Sequence, residues 1–346
     1  MIKVPVEKIS ELGIEIFTKQ GTNLDRATFL VQTLVEANLT GHDSHGVFYY
    51  TRYSDRIKEG YIKVNEEPII VKETPGTALI DGKWTFGQMI AKKVVETAVE
   101  KAKRNMISAV GAYNCNHIGR VGYYTDWAAK QGIISTFYVN VGHPIVSVHN
   151  GLGKTFGTNP FSASVPTSGN TPFLVDYATS VVAAGKLSVA SAKGSKIPTH
   201  WTKDPYGRVN NDPNVLRKDG WLLPFGEYKG YGLQMICELL GAVLTGSRIG
   251  PSGTEIPPSP NGIFIMAVNP EAFIGLDEFV KNTDALLEQV KNWPALGGKR
   301  VMVPGMPEQE SKEKRLKEGI EIPETTWSEI SSLCKELEID LDAILK

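Results

Sequence analysis

The sequence predicts a mixed α/β protein without a Rossmann dinucleotide unit, on three observations. Residues 6–60 read as helix only, strands and helices alternate from Pro68 onward, and a strand comes after the glycine-rich string Gly151–Gly157. A Rossmann fingerprint needs a helix to open directly after its glycines, so that the N-terminus meets the pyrophosphate. Here Asn159-Pro160 intervenes, Phe161 to Pro166 alternates like a strand, and the glycine spacing is one residue too long.

Ile9, Leu12, Ile16 and Phe17 make residues 6–20 an amphipathic helix closed at Gly21, and Leu24 to Leu39 repeats the pattern and ends at Gly41. Ser44 is expected to cap a third helix running to Gly60, which would put His45 in its first turn. That position would lower the histidine's pKa, with Asp43 pushing the other way. Pro68 to Asp81 reads as two strands around Thr74-Pro75-Gly76, Gln88 to Arg104 as a helix, and Ile107 to Gly111 as a buried strand. Val121 to Gln131 reads as helix, and Ile133 to Val139 and Phe173 to Asp176 as strands. Residues 194–228 look like a long irregular excursion, of the kind that usually serves a site. Beyond it come a helix over Leu233 to Leu244, a strand over Gly262 to Val268, a helix over Leu276 to Trp293 and a strand over Arg300 to Val303. The tail from Glu308 reads as helical, with Thr326 as a cap.

Composition narrows the function classes. A chain of 346 residues with 41% hydrophobic content and a net charge of −1 has a sizeable core and no electrostatic case for nucleic acid or an anionic membrane. No apolar run approaches the roughly 20 residues of a transmembrane helix, and Met1 to Lys8 lacks a signal-peptide core. Cys115, Cys237 and Cys334 are too few and scattered for a disulfide framework. A reduced, cytoplasmic setting is expected.

Three stretches could carry chemistry. Gly41-His42-Asp43-Ser44-His45-Gly46 concentrates ionisable groups in a tight turn, although turn capping alone would explain it. His117, in Asn116-His117-Ile118-Gly119-Arg120, lies between a strand and a helix, where α/β proteins hold ligands. A histidine there beside an arginine suits an acid–base group next to a carboxylate anchor, although a turn histidine satisfied by backbone would also explain this stretch. Asp176 ends a buried strand and needs a partner; orienting a histidine and capping the next element after Ala178 are both open. Gly157-Thr158-Asn159-Pro160 and Lys229-Gly230-Tyr231-Gly232 are small-residue junctions that would let backbone approach a phosphate, or serve close packing alone. A three-histidine metal site on His42, His45 and His117 would make the chain a metal-dependent hydrolase or lyase, but the HExxH spacing is absent and no metal is expected.

Taken together and in order, the GHDSHGV, NHIGRVGY, FGTNP, DYATS and KGYGL strings resemble the type-2 malate/L-lactate dehydrogenase family, from the first helix to about Gly319. That family includes L-sulfolactate dehydrogenases, and the GHDSHG and HIGR forms are most similar to its hydroxycarboxylate dehydrogenase subgroup. The resemblance implies an α/β (α+β) fold with a non-Rossmann, largely antiparallel sheet region over 76–306 that binds NAD or NADP and substrate. It also implies a helical domain built from both chain ends, 1–75 and 307–346, and a homodimer. The implied reaction is reversible hydride transfer between NAD(P)H and a small 2-oxo or 2-hydroxy acid.

By the same resemblance His45 and His117 are the candidate acid–base groups, His45 ranked first, and Asp176 is the cofactor-domain aspartate. Gly157, Thr158, Asn159, Asp176, Tyr177, Ala178, Lys229, Gly230, Pro304, Gly305 and Met306 match nucleotide-contacting stretches. Ser44 lies beside the substrate. Many members carry an arginine three residues after the SHG glycine, where this chain has Tyr49, so Arg120 or Arg52 is expected to hold the substrate carboxylate, Arg120 first. Tyr49 hints at a larger or more apolar substrate side chain.

Overall fold

The computed structural model describes residues 1–169, 173–192, 194–249 and 260–346. The chain opens with strand β1 (Ile2–Val4) and helices α1 (Val6–Lys19), α2 (Leu24–Leu39) and α3 (Tyr49–Lys58). Strands β2 (Ile69–Glu73) and β3 (Thr77–Asp81), helix α4 (Gly87–Asn105), β4 (Ile107–Cys115), α5 (Gly122–Lys130) and β5 (Ile134–Val141) succeed them. Next come β6 (Phe161–Val165), β7 (Phe173–Tyr177), α6 (Ala184–Ala192), the short strands β8 (Thr202–Lys203), β9 (Val209–Asn210) and β10 (Trp221–Leu222), and α7 (Tyr228–Glu238). The chain closes with β11 (Asn261–Val268), α8 (Leu276–Lys291), α9 (Met306–Glu318), β12 (Ile320–Ile322), α10 (Glu324–Glu336) and α11 (Leu341–Leu345).

The first two helices form where the 3.6-residue repeat is cleanest. Ile9, Leu12, Ile16 and Phe17 of α1 meet Ala27, Leu30, Val31 and Leu34 of α2, all essentially inaccessible to solvent. Each such large side chain contributes about 1.5–3 kcal/mol of burial. The same core takes in Ile320, Ile322, Ile330 and Leu333 from the far end of the chain, and Phe86 and Met89 from the start of α4.

The sheet has seven strands in the order β2-β3-β4-β11-β5-β6-β7. Only β3 and β4 run parallel among the described residues; the other neighbouring pairs are antiparallel. Helices α4 and α5 bury a second core against it through Ile90, Val94, Ala98, Tyr124 and Ala128. Against β11 the π turn that extends α7 (Leu239–Val243) presses backbone to backbone. A Cβ on Gly262 would lie 2.1 Å from the Gly241 carbonyl oxygen, so glycine is required there.

Several expectations need correction. Ser44 does not cap α3: Asp43–His45 form a separate 3-10 turn, and Phe48 occupies the cap position. His45 therefore lies outside the first turn of that helix. Thr326 lies inside the first turn of α10, after Pro323 at the cap, because proline's fixed φ already suits a helix start. Residues 300–303 form no strand. The tail is not wholly helical, since β12 pairs antiparallel with β1, Ile2 opposite Ile322. Residues 194–228 are less irregular than expected, β8 pairing with both β9 and β10. Helix α6 was not anticipated, and α7 begins five residues before the expected Leu233.

Candidate active site

The site is assembled from the turn before α3, from α3 itself, and from the loop joining β4 to α5. Asn38, near the end of α2, organises the turn: its Oδ1 accepts from Val47 N at 2.8 Å and its Nδ2 donates to Asp43 at 2.7 Å. Gly46 lies so close that a Cβ would sit 2.0 Å from the same Oδ1. Arg315 of α9 grips Asp43 with both guanidinium nitrogens, Nη2 at 3.1 Å. The glycines and the aspartate of this motif thus shape the turn that presents His45.

The second loop is pinned more heavily. Asn116 is 1% exposed, and its Nδ2 donates to the carbonyls of Tyr61, Trp84 and Thr85 at 2.9–3.0 Å. Ile118 N donates to Asn261 at 3.0 Å, and Tyr124 Oη donates to the Ile118 carbonyl at 2.6 Å. Gly87 opens α4 directly under the loop, where a Cβ would meet the His117 oxygen at 2.2 Å.

The two imidazoles come together. Their ring centroids lie 5.6 Å apart with the planes inclined by 22°. Tyr49 stacks on His117 at 4.4 Å, and its Oη approaches Nε2 at 3.3 Å. Tyr53 Oη contacts His117 Nδ1 at 2.8 Å and is itself held by Gln88 Nε2 at 2.8 Å. Both ring nitrogens of His117 therefore have tyrosine neighbours. His45 differs: Nδ1 meets Ser44 Oγ at 3.0 Å, while Nε2 has no protein partner among the described residues.

Burial sets the charge state of the pair. His45 is pushed down to about 4, first by burial, then by His42, with Arg120 adding to the effect and Asp176 opposing it. His117 is held well below its ordinary value by burial, then by His45 and Arg56. Both rings are thus neutral at pH 7. The helix-terminus field and Asp43 expected from sequence are replaced by desolvation and Asp176.

Asp176 does not hydrogen-bond a histidine. On β7 opposite Ser162, it accepts from Gly122 N at 2.9 Å and pairs with Arg120 Nε at 3.3 Å. A Cβ on Gly122 would lie 2.5 Å from Asp176 Oδ2, which explains the glycine at the start of α5. Arg120 is only 6% exposed, and its Nε and Nη2 lack aligned hydrogen-bond acceptors. Arg52 is exposed and lies over the Phe48 ring at 4.8 Å, away from the imidazole pair's hydrogen bonds.

The junction residues expected at a nucleotide serve mostly to pack. Asn159 is fully buried and ties Val141 N to Glu238, and Thr158 O accepts from Thr179. Gly157 and Gly230 leave no room for a side chain against the Val141 and Phe225 carbonyls. Tyr177 and Lys229 are exposed, and Ala178 is half-buried.

A cavity of about 660 Å³ opens at Arg120, lined also by Leu174, Leu276, Gly305, Glu308 and Gln309 among others. That volume lies within the roughly 300–1,000 Å³ of small-molecule and cofactor sites. Gly305, at φ +96°, turns the chain into α9 so that the helix N-terminus borders the cavity, with Pro304 and Met306 on either side. Arg120, which lines this cavity with two nitrogens lacking aligned acceptors, fits a phosphate-bearing cofactor. The first turn of α9 adds no free N–H, since Met306 N donates to the Val303 carbonyl and Pro307 has none. His42 is turned aside to Glu308 at 3.7 Å, and no group of three His, Cys, Asp or Glu among the described residues could hold a metal. The metal-dependent reading has no support in this arrangement.

Sequence reasoning missed Tyr53, Gln88, Asn38, Asn116 and Arg56. The spacing of Tyr49, Tyr53 and Arg56 on one helical face was the available signal.

Fold and site together define an α/β protein with a neutral imidazole pair and, at Arg120, a cavity of cofactor size. Comparison with known proteins places it: the chain belongs to the malate/L-lactate dehydrogenase family, whose model matches residues 4–331. Hydroxycarboxylate dehydrogenase B of Escherichia coli K12 is 35% identical over 329 residues, 93% of this chain and 91% of that protein. L-sulfolactate dehydrogenase of Methanocaldococcus jannaschii is 35% identical over 341 residues, 97% of each. The solved structure of sulfolactate dehydrogenase from that organism superposes with a TM-score of 0.92 at 33% identity, covering 100% of both chains.

Proposed function

We propose that the chain is an NAD(P)-dependent dehydrogenase that reversibly interconverts a small 2-oxo acid and its 2-hydroxy acid. The observation that carries this reading is the stacked His45–His117 pair, neutral and with His45 Nε2 open, in a chain of this family. Arg120 and the Gly305 turn that borders the cavity would hold the cofactor, which supplies or accepts the hydride when bound.

The chain's own work is positioning and one proton. In the oxidative direction neutral His45 takes the hydroxyl proton through Nε2, and in the reductive direction it returns that proton to the carbonyl oxygen. General acid–base help of this kind is worth roughly 10²–10⁴-fold. His117, locked between Tyr49 and Tyr53, holds the stacking partner in place and keeps its own ring neutral beside the substrate oxygen. The Asp176–Arg120 pair fixes the start of α5 and sets opposing charges near His45.

Two further features accompany the reading. The helical core from both chain ends and the sheet core support domains near 1–75 with 307–346 and 76–306, with Phe86 and Met89 crossing that boundary. The exposed apolar row Ile236, Leu239, Val243 and Leu244 supports the expected homodimer. No helix among the described residues is long and apolar enough to cross a membrane.

The test is a spectrophotometric screen of 2-oxo acids with NADH and NADPH. Oxidation of either cofactor with at least one 2-oxo acid is expected; inactivity across the panel, with no cofactor binding by fluorescence, would contradict the proposal.

A further inference from the structure

Three arginines lie on the elements that carry the imidazole pair and its tyrosines, and they are not equivalent. Arg120 is neutralised by Asp176. Arg52 is exposed and covers the Phe48 ring. Arg56 is half-buried, its Nη1 has neither solvent nor a hydrogen-bond acceptor, and among the described residues no carboxylate forms an ion pair with it.

Its place on α3 explains where that charge goes. Tyr49, Tyr53 and Arg56 stand at i, i+4 and i+7, on one face of the helix. Tyr49 stacks on His117 and Tyr53 contacts its Nδ1, so this face is the one turned toward the catalytic imidazoles. Arg56 follows Tyr53 by three residues on that face, next to the tyrosine that contacts His117. Its charge acts to lower the pKa of His117, Tyr49 and Tyr53. A desolvated cationic nitrogen without a partner is costly to maintain, and an anion brought in by a ligand removes that cost. Its planar fork suits a carboxylate better than any other small anion of this reaction class.

We propose that Arg56 anchors the substrate carboxylate, presenting the acid's C2 oxygen to His45. This rests on the dehydrogenase reading for the identity of the substrate, but not for the presence of an anion site.

The probe is oxalate, with oxamate as an isosteric monoanion, titrated calorimetrically into the full chain, alongside steady-state kinetics. Arg56→Gln is expected to weaken oxalate binding and raise KM for a 2-oxo acid on the order of 10²-fold. Its kcat should stay within several-fold of wild type and NADH affinity unchanged. Arg56→Lys, which keeps the charge and guards against a merely structural loss, should recover part of the affinity. Arg52→Gln should bind as wild type does. Unchanged oxalate affinity and KM in Arg56→Gln would overturn the anchor while leaving the dehydrogenase reading intact, as would loss of binding in Arg52→Gln alone. Arg56-dependent oxalate binding in a chain that oxidises neither cofactor would uphold the anchor and remove the dehydrogenase reading.

Discussion

His117 sits on a loop tied to the body of the protein through Asn116, Ile118 and Tyr124, with tyrosine hydroxyls beside both of its ring nitrogens. His45 sits on a three-residue turn whose anchors, Asn38 and Arg315, hold Asp43 and Val47 and not the histidine itself. One imidazole is immobilised on both sides and the other on one. On the proposed reading the two histidines divide labour: the fixed ring would define the geometry, and the ring with an open nitrogen would exchange the proton. Proton exchange needs an accessible lone pair near the substrate, and His45 Nε2 retains one.

Replacing each region's key group should disturb that contrast unevenly. The largest effect is expected from His45→Ala, which should lower kcat by roughly 10²–10⁴-fold while NADH binding, monitored by fluorescence, is unchanged. Next comes the platform under His117. Gly87→Ala forces a methyl into the loop carbonyls and should destabilise the protein by about 1–3 kcal/mol in urea unfolding, because the obstacle is backbone. Tyr53→Phe removes the hydroxyl between Gln88 and His117 Nδ1, and a loss of about 1–2 kcal/mol is expected. The accompanying fall in kcat should be smaller than for His45→Ala, since only positioning is lost.

A pH series probes the same pair with a gentler perturbation. Both histidines fold with pKa values depressed from the ordinary 6.5, His45 to about 4. Between those values the unfolded chain binds more protons than the folded one, so stability is full above about 6.5 and declines as pH falls toward 4. Thermal melts across that window should show a shallower decline in His45→Ala than in wild type; parallel slopes would mean that His45 is not held neutral by burial.

The helices were legible where the apolar repeat was strong. Residues 24–39 carry enough Leu, Val and Ala at helical spacing that local pattern and tertiary burial agree. Strands β1 and β12 were not legible, because three residues from opposite chain ends gain their hydrogen bonds only from each other. Ser44 misled for a related reason: a serine before a helical stretch is a good cap, but here its hydroxyl is beside His45 Nδ1 instead. Both imidazoles were legible through the resemblance of their motifs to a known family, since turn capping would have explained either glycine-flanked loop alone. Their environment was not legible, since Tyr53, Gln88 and Arg56 reach the site only through the packing of α3 on α4 and the β4–α5 loop.

Chemical rescue is the decisive measurement for the division of labour. Imidazole added to His45→Ala should restore turnover saturably, with a pH dependence that tracks the added base, whereas His117→Ala should gain nothing. Wild-type kcat in His45→Ala without rescue, or rescue confined to His117→Ala, would contradict the assignment.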